Sequence, residues 1–152
     1  AQGLAADLAQ QALEEWGIEN ALIDAGEFNA IGSPEQRDSW HIGVQHPRQL
    51  GSIAKTRLQG RCLSTSGDYA SKFSDDYCHH HLLDPRTGLS PVKLSAVSVA
   101  APTALEADSL STALFVLGPE KAKEMVESMD LVDALFVSKS GDITATDGFP
   151  LV

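Results

Sequence analysis

LSAVSVAAPTALEADSLSTALFVLGPEKAKEMVESMD, residues 94–130, places one apolar strand and two helices in immediate succession. Leu94 to Ala100 alternates weakly and is rich in Val and Ala, as a buried strand would be, and Pro102 ends it. Thr103 and Glu106 then form a capping-box pair, since a hydroxyl and a carboxylate at this spacing can satisfy the free N–H groups of a helix start. The apolar series Leu110, Ala113, Leu114 and Leu117 carries that helix to Gly118. Pro119 lacks an N–H and has its φ fixed near the helical value, so it predicts the first position of a second helix running to about Met129.

Downstream, Leu131 to Ser138 and Ile143 to Thr146 flank Ser140-Gly141 and read as a hairpin. Upstream, Ser52 to Leu58 and Gly60 to Thr65 read as two strands around a tight turn, and His41 to Gln45 as a strand stopped by Pro47. Tyr77 to Leu83 reads as another strand. Asn20 to Gly32, broken by Gly26 and Gly32, is two strands or a strand and a turn, and Ser33 to Ser39 is a polar loop. From Gly3 to Trp16, Leu4, Ala5, Leu8, Ala9, Ala12, Leu13 and Trp16 recur at helical spacing, giving an amphipathic helix stopped by Gly17. Strands in a run, then two helices, then a hairpin are too irregular for repeated βα units. The expected class is α+β, a largely antiparallel sheet with packed helices.

The 152 residues, 43% of them apolar, suffice for one core. A formal charge of -10 repels polyanions, which disfavours nucleic acid as a partner and requires local basic groups or metal ions wherever phosphate is bound. No stretch approaches the roughly 20 apolar residues that cross a bilayer. Cys62 and Cys78 could form one disulfide but are too few for a Cys-rich metal site; the expectation is two unpaired thiols, neither of them a nucleophile. Neither a GxGxxG fingerprint nor a Walker loop is present, which argues against the standard dinucleotide and P-loop folds.

Asp108 and Thr112 lie four apart on the helix that starts near Thr103, so their side chains share a face. A carboxylate and a hydroxyl are hard donors that suit Mg²⁺ or Ca²⁺, although the same pair also fits a solvated helix face. Phe115 falls beside Asp108 on the wheel, which hints at a cleft. His79, His80 and His81 precede Asp84-Pro85-Arg86-Thr87-Gly88. Alternation in a strand would put His79 and His81 on one face and His80 on the other, which makes three-way metal ligation awkward. One His serving as proton carrier or hydrogen-bond partner is the more useful reading. In the loop, Asp84 can cap a turn stiffened by Pro85, Arg86 offers a fork for phosphate, and Gly88 permits positive φ. Thr65-Ser66-Gly67-Asp68 is a second turn whose hydroxyl and N–H groups could meet a ligand, and Gly26 is similarly placed in Asp24-Ala25-Gly26-Glu27.

Taken together, His81-Leu82-Leu83-Asp84-Pro85-Arg86-Thr87-Gly88 resembles the H-x-x-D-P-R-T-G signature of the ApbE family, and Ala107–Leu114 resembles its A-D-x-L-x-T-A-L helix. Ser64-Thr65-Ser66-Gly67-Asp68-Tyr69 looks like its T-S-G-D-Y segment, in the same order. The resemblance implies an α+β fold, FAD as donor, Mg²⁺, and transfer of FMN through a phosphoester bond to a Thr of an acceptor flavoprotein, with AMP released. Alternatives are hydrolysis of FAD to FMN and AMP, or a non-catalytic flavin-binding or partner-binding module. By residue, it implies Asp108 and Thr112 as metal ligands and His81 as the site histidine. It also implies Gly26, Ser66, Gly67 and Asp84 to Gly88 as parts of the flavin-nucleotide site. A bacterial periplasmic or membrane-associated cell-envelope location is implied as well.

Two departures stand out. Gln2-Gly3-Leu4-Ala5-Ala6-Asp7 looks like the family's K-G-x-A-x-D with Lys replaced by Gln, and Ala25-Gly26-Glu27 stands where the family tends to have G-G-N or G-G-D. A carboxylate at Glu27 repels phosphate unless a metal intervenes. Family members also carry a further N-terminal half. Residues 1–152 are therefore expected to be a single domain or half of a larger one, with the N-terminal half missing, cleaved or supplied by a second chain.

Overall fold

The computed structural model describes residues 1–35 and 37–152. In chain order the elements are α1 (Gln2–Glu15), β1 (Ala21–Asp24), β2 (Phe28–Ile31), β3 (Trp40–Gln45), β4 (Ser52–Leu58), β5 (Cys62–Gly67), β6 (Leu94–Ala101), α2 (Ala104–Leu117), α3 (Pro119–Glu127), β7 (Asp133–Ser138) and β8 (Ile143–Ala145). The polar-loop reading of Ser33 to Ser39 includes Gln36, which lies outside the described residues.

Six strands form one antiparallel sheet in the order β1-β2-β5-β6-β7-β8, and β3 with β4 forms a separate two-stranded hairpin. All eight residues of β6 are buried, because helices cover one face of the sheet and the β3–β4 hairpin covers the other. On the helix side Val97, Val99, Ala134 and Phe136 pack with Ala107, Leu114, Phe115 and Val126; on the hairpin side Ala96, Ala100, Leu135 and Val137 pack with Ile42, Val44 and Leu58. Fully burying a Val, Leu or Phe contributes about 1.5–3 kcal/mol, so this central strand anchors the α+β fold.

The local signals around β6 act as expected. Thr103 Oγ1 accepts the Glu106 N–H at 3.1 Å and donates to the Glu106 carboxylate at 2.9 Å, and Pro119 occupies the first turn of α3. Three readings need correction. Strands form at 52–58 and 62–67, but they are not partners around a tight turn: β4 pairs with β3, while β5 pairs with β2 and β6. The hydrophobic pattern located both strands, but their pairing was decided by which face of the large sheet needed a cover. Tyr77 to Leu83 is no strand; its only ladder contact is a single bridge between Lys72 and His80. Its shape comes instead from side-chain bonds such as Ser90 Oγ donating to His80 O at 2.7 Å. In α1 the small residues Gly3 and Ala6 face inward, whereas Leu4, Leu8 and Trp16 are 47%, 55% and 86% exposed. Close approach to α2 selects the small face over the apolar one.

Candidate active site

Strand β5 outruns β2. Their register covers only Phe28 with Leu63 and Asn29 with Cys62, so the rim of β5 from Ser64 to Gly67 lacks a strand partner on that side while β6 pairs along the other. Side chains alternate along β5. Ser64 and Ser66 reach the helix layer, whereas the Thr65 hydroxyl lies 2.7 Å from that of Ser98. The Ser111 hydroxyl on α2 stands 3.2 Å from Ser64 Oγ and 2.8 Å from Ser66 Oγ, and Ser66 Oγ lies 2.9 Å from Thr112 Oγ1. Ser66 and Thr112 are thereby brought to one corner, with Gly67 at its end.

Helix α1 seats the carboxylate of that corner. The Gly3 N–H donates to Asp108 Oδ2 at 3.0 Å, and the Asp108 side chain remains 23% exposed. Only glycine fits at position 3, because a Cβ there would overlap the Ala104 carbonyl and lie 2.8 Å from Asp108 Cβ. Asp7 then caps α2: its carboxylate accepts the N–H groups of Ala104 at 2.8 Å and Leu105 at 2.9 Å, where negative charge suits the helix N-terminus.

Gly26 adopts φ +91° in the β1–β2 turn, packed against the Gln2 amide, and Glu27 follows it at the notch beside the start of β2. Glu27 is only 6% exposed and its Oε2 has no hydrogen-bond partner. Burial raises its carboxyl to about 7, hydrogen bonding from Ser64 opposes the rise, and the charge of Asp108 adds to it.

The Asp84 to Gly88 loop is tightly closed. Asp84 O accepts the Gly88 N–H at 2.7 Å, the Asp84 N–H donates to Leu89 O at 2.9 Å, and Gly88 has φ +71°. Arg86 does not present a free fork: its Nε and Nη2 donate to the Asp84 carboxylate at 2.9 and 2.7 Å. That partner holds the Asp84 carboxyl down at about 2. Between this loop and α2 lies a largely apolar cavity of about 500 Å³, walled by Leu83, Asp84, Pro85 and Arg86 on one side and Ser109, Thr112, Ala113 and Val116 on the other. Thr112 thus faces both the cavity and the hydroxyl corner. The Thr87 hydroxyl accepts the Leu89 N–H at 3.2 Å and is turned to the loop itself.

His81 is exposed, with its N–H bonded to Ser71 O at 3.1 Å, and it makes no side-chain hydrogen bond to Asp108 or Thr112 among the described residues. His80 is instead fully buried. Its ring stands edge-on to Phe115 of α2 at 5.5 Å, and its Nε2 lies 3.0 Å from Pro91 O. Burial lowers its pKa. The sequence reading also missed a charge hub. Asp68, fully buried, accepts two bonds from Arg48 at 2.7 Å and one from Lys139 at 2.5 Å; Lys139 also donates to Tyr77 O, and the Arg48 guanidinium lies 3.8 Å over the Tyr77 ring. The hub ties the segment before His79 to both sheets. Ser64 and Ser111 were missed too, although the buried series Ala104, Ala107, Ser111 and Leu114 marks Ser111 as inward-facing.

The Ser66 and Thr112 hydroxyls, with Asp108 one helical turn away on α2, thus stand beside a cavity of about 500 Å³ on an α+β sheet. The ApbE family pattern matches residues 1–136, and the chain belongs to that family. It is 37% identical over 147 residues to the FAD:protein FMN transferase of Escherichia coli K12, covering 93% of this chain and 41% of that protein. The corresponding Treponema pallidum protein is 34% identical over 161 residues, with 97% and 44% covered. Among solved structures, the ApbE protein of Thermotoga maritima superposes with TM-score 0.86 at 31% identity, covering 95% of this chain and 48% of that one. The Pseudomonas stutzeri flavinyl transferase ApbE in its apo form gives 0.80 at 37%, covering 97% and 48%. The chain therefore spans less than half the length of these relatives.

Proposed function

We propose that this chain contributes the metal- and pyrophosphate-handling part of an FAD:protein FMN transferase, moving FMN from FAD to a threonine of an acceptor flavoprotein and releasing AMP. The reading rests chiefly on Ser66 Oγ standing 2.9 Å from Thr112 Oγ1 at the end of β5, with Asp108 one turn earlier on the same helix and Thr112 lining the cavity under the Asp84–Gly88 loop. Ser66, Asp108 and Thr112 offer hard oxygen donors, without sulfur or imidazole. That composition fits Mg²⁺, which takes few protein ligands and completes its shell with water and phosphate. When bound, the ion supplies the charge neutralisation that pyrophosphate cleavage requires.

In this reaction the acceptor Thr oxygen bonds to the FMN phosphorus, the bond from that phosphorus to the bridging oxygen breaks, and AMP leaves with that oxygen. His81 takes the hydroxyl proton. Gly26, Gly67 and the Asp84 to Gly88 loop flank the nucleotide. The rest of the family fold comes from a further segment, in the same polypeptide or in a second chain.

The test is to incubate the chain, supplied with the segment that completes the family fold, with FAD, Mg²⁺ and an acceptor domain, and to follow flavin on the acceptor and AMP in solution. Flavin on the wild-type acceptor but not on its Thr→Ala form supports transfer. Free FMN and AMP in equal amounts with unmodified acceptor would replace transfer by hydrolysis.

A further inference from the structure

Glu27 is the one buried carboxylate of the corner that the reading above leaves without a task. Phe28 packs in the hairpin-side cluster, while the Asn29 amide donates to Asp7 of α1 at 3.1 Å, so alternation puts Glu27 on the helix side with Ser64 and Ser66. A chain of contacts links it to Asp108 and to α1. Glu27 meets Ser64, Ser64 meets Ser111, and the Ser111 hydroxyl donates to Asp108 O at 3.0 Å; Asp108 holds the Gly3 N–H, and the adjoining Gln2 amide packs on Gly26.

Glu27 Oε2 itself has no hydrogen-bond partner among the described residues. An unpaired buried carboxylate oxygen is costly; Ser64 and Asp108 offer it no cation, and the Ala1 ammonium, whose charge also reaches it, is held 3.4 Å from Asp108 Oδ2. A divalent cation at the Asp108–Thr112 corner would remove both that deficit and the repulsion between Glu27 and Asp108.

We infer that Glu27 is a further oxygen ligand of the divalent cation, joining Asp108 and Thr112 from the opposite side of the notch. This rests on the metal-dependent reading of the site. It also explains how a carboxylate is accommodated where pyrophosphate must approach: with the ion in place, the negative charge of Glu27 serves to hold the cation.

Mn²⁺ serves as the probe, with free Mn²⁺ followed by electron paramagnetic resonance in titrations of the wild type, Glu27→Gln and Asp108→Ala. Glu27→Gln keeps the shape of the side chain, and circular dichroism in EDTA checks that it folds. The expected result is Mn²⁺ binding to the wild type, weakened at least about tenfold in Glu27→Gln, the lower bound being what loss of even an outer-shell partner costs. Unchanged affinity in Glu27→Gln, with binding lost in Asp108→Ala, would overturn the role of Glu27 and leave the metal site standing. Absence of Mn²⁺ binding to the wild type would overturn both.

Discussion

Ser66 Oγ on β5 lies 2.9 Å from Thr112 Oγ1 on α2, 46 residues further along the chain. The contact fixes the end of the sheet against the helix that carries Asp108. Because Thr112 is exposed, Thr112→Val should change stability by less than about 1 kcal/mol. The same substitution removes a hard donor, so Mg²⁺-dependent turnover of FAD should fall by about tenfold to a hundredfold. Denaturant unfolding and an AMP-release assay on the same protein separate the two effects.

Gly3 provides the close contact between α1 and Asp108. Gly3→Ala puts a methyl group into the Ala104 carbonyl and within 2.8 Å of Asp108 Cβ. The helices must separate, at a cost of about 1–3 kcal/mol, and the N–H bond to Asp108 is lost with them. Urea midpoints compared with those of Leu4→Ala, on the exposed face of the same helix, should show the larger loss for Gly3→Ala.

Asp68 neutralises two cations from inside the protein. Asp68→Asn leaves Arg48 and Lys139, whose side chains are 26% and 23% exposed, facing a neutral amide at a buried position; a fully buried group broken this way costs about 3–5 kcal/mol, and hydration of the two cations lowers that to about 2–3 kcal/mol. Equilibrium unfolding should report a loss of that size. A loss below about 1 kcal/mol would show the hub to be solvated.

Glu27 makes the metal-free protein pH-dependent. Its carboxyl is raised from 4.5 to about 7, chiefly by burial, so between those values the folded chain holds a proton that the unfolded chain has released. The contribution is fully present below pH 4.5 and is lost as pH rises through about 7, to a total of about 3 kcal/mol. In EDTA, the stability difference between Glu27→Gln and wild type should grow across that window in favour of the variant.

Burial pushes the Cys62 thiol up to about 12, whereas Cys78 is only partly buried, and both are unpaired. A thiol reagent at neutral pH should label one cysteine per native chain, Cys78, and the second only on unfolding. Peptide mapping identifies the labelled position.

The strongly patterned elements were legible because local chemistry and burial agree in them. Leu94 to Ala101 and the capped, Pro-started helices after it carry their own instructions. Pairing was not legible: nothing local tells Ser52–Leu58 that it will cover the far face of the sheet instead of joining Cys62–Gly67. Nor does apolar periodicity reveal that α1 turns Gly3 and Ala6 inward, since that choice is made by the closeness of α2. Motif and spacing singled out Asp108, Thr112 and Ser66, and β5 and α2 bring Ser66 against Thr112. Glu27 stood out in sequence only as a departure from the motif; its burial and unpaired oxygen, Ser111 and the Asp68 hub become visible only when residues distant in sequence meet.

The central claim is that Asp108 and its neighbours hold a divalent ion through which this chain engages FAD. Flavin fluorescence during FAD titration, with Mg²⁺ and with EDTA, on wild type and Asp108→Ala, each supplied with the segment that completes the family fold, addresses it most directly. The account predicts saturable quenching that requires Mg²⁺ and is lost in Asp108→Ala. Quenching of equal strength in EDTA and in the variant, or no quenching in any condition, would contradict it.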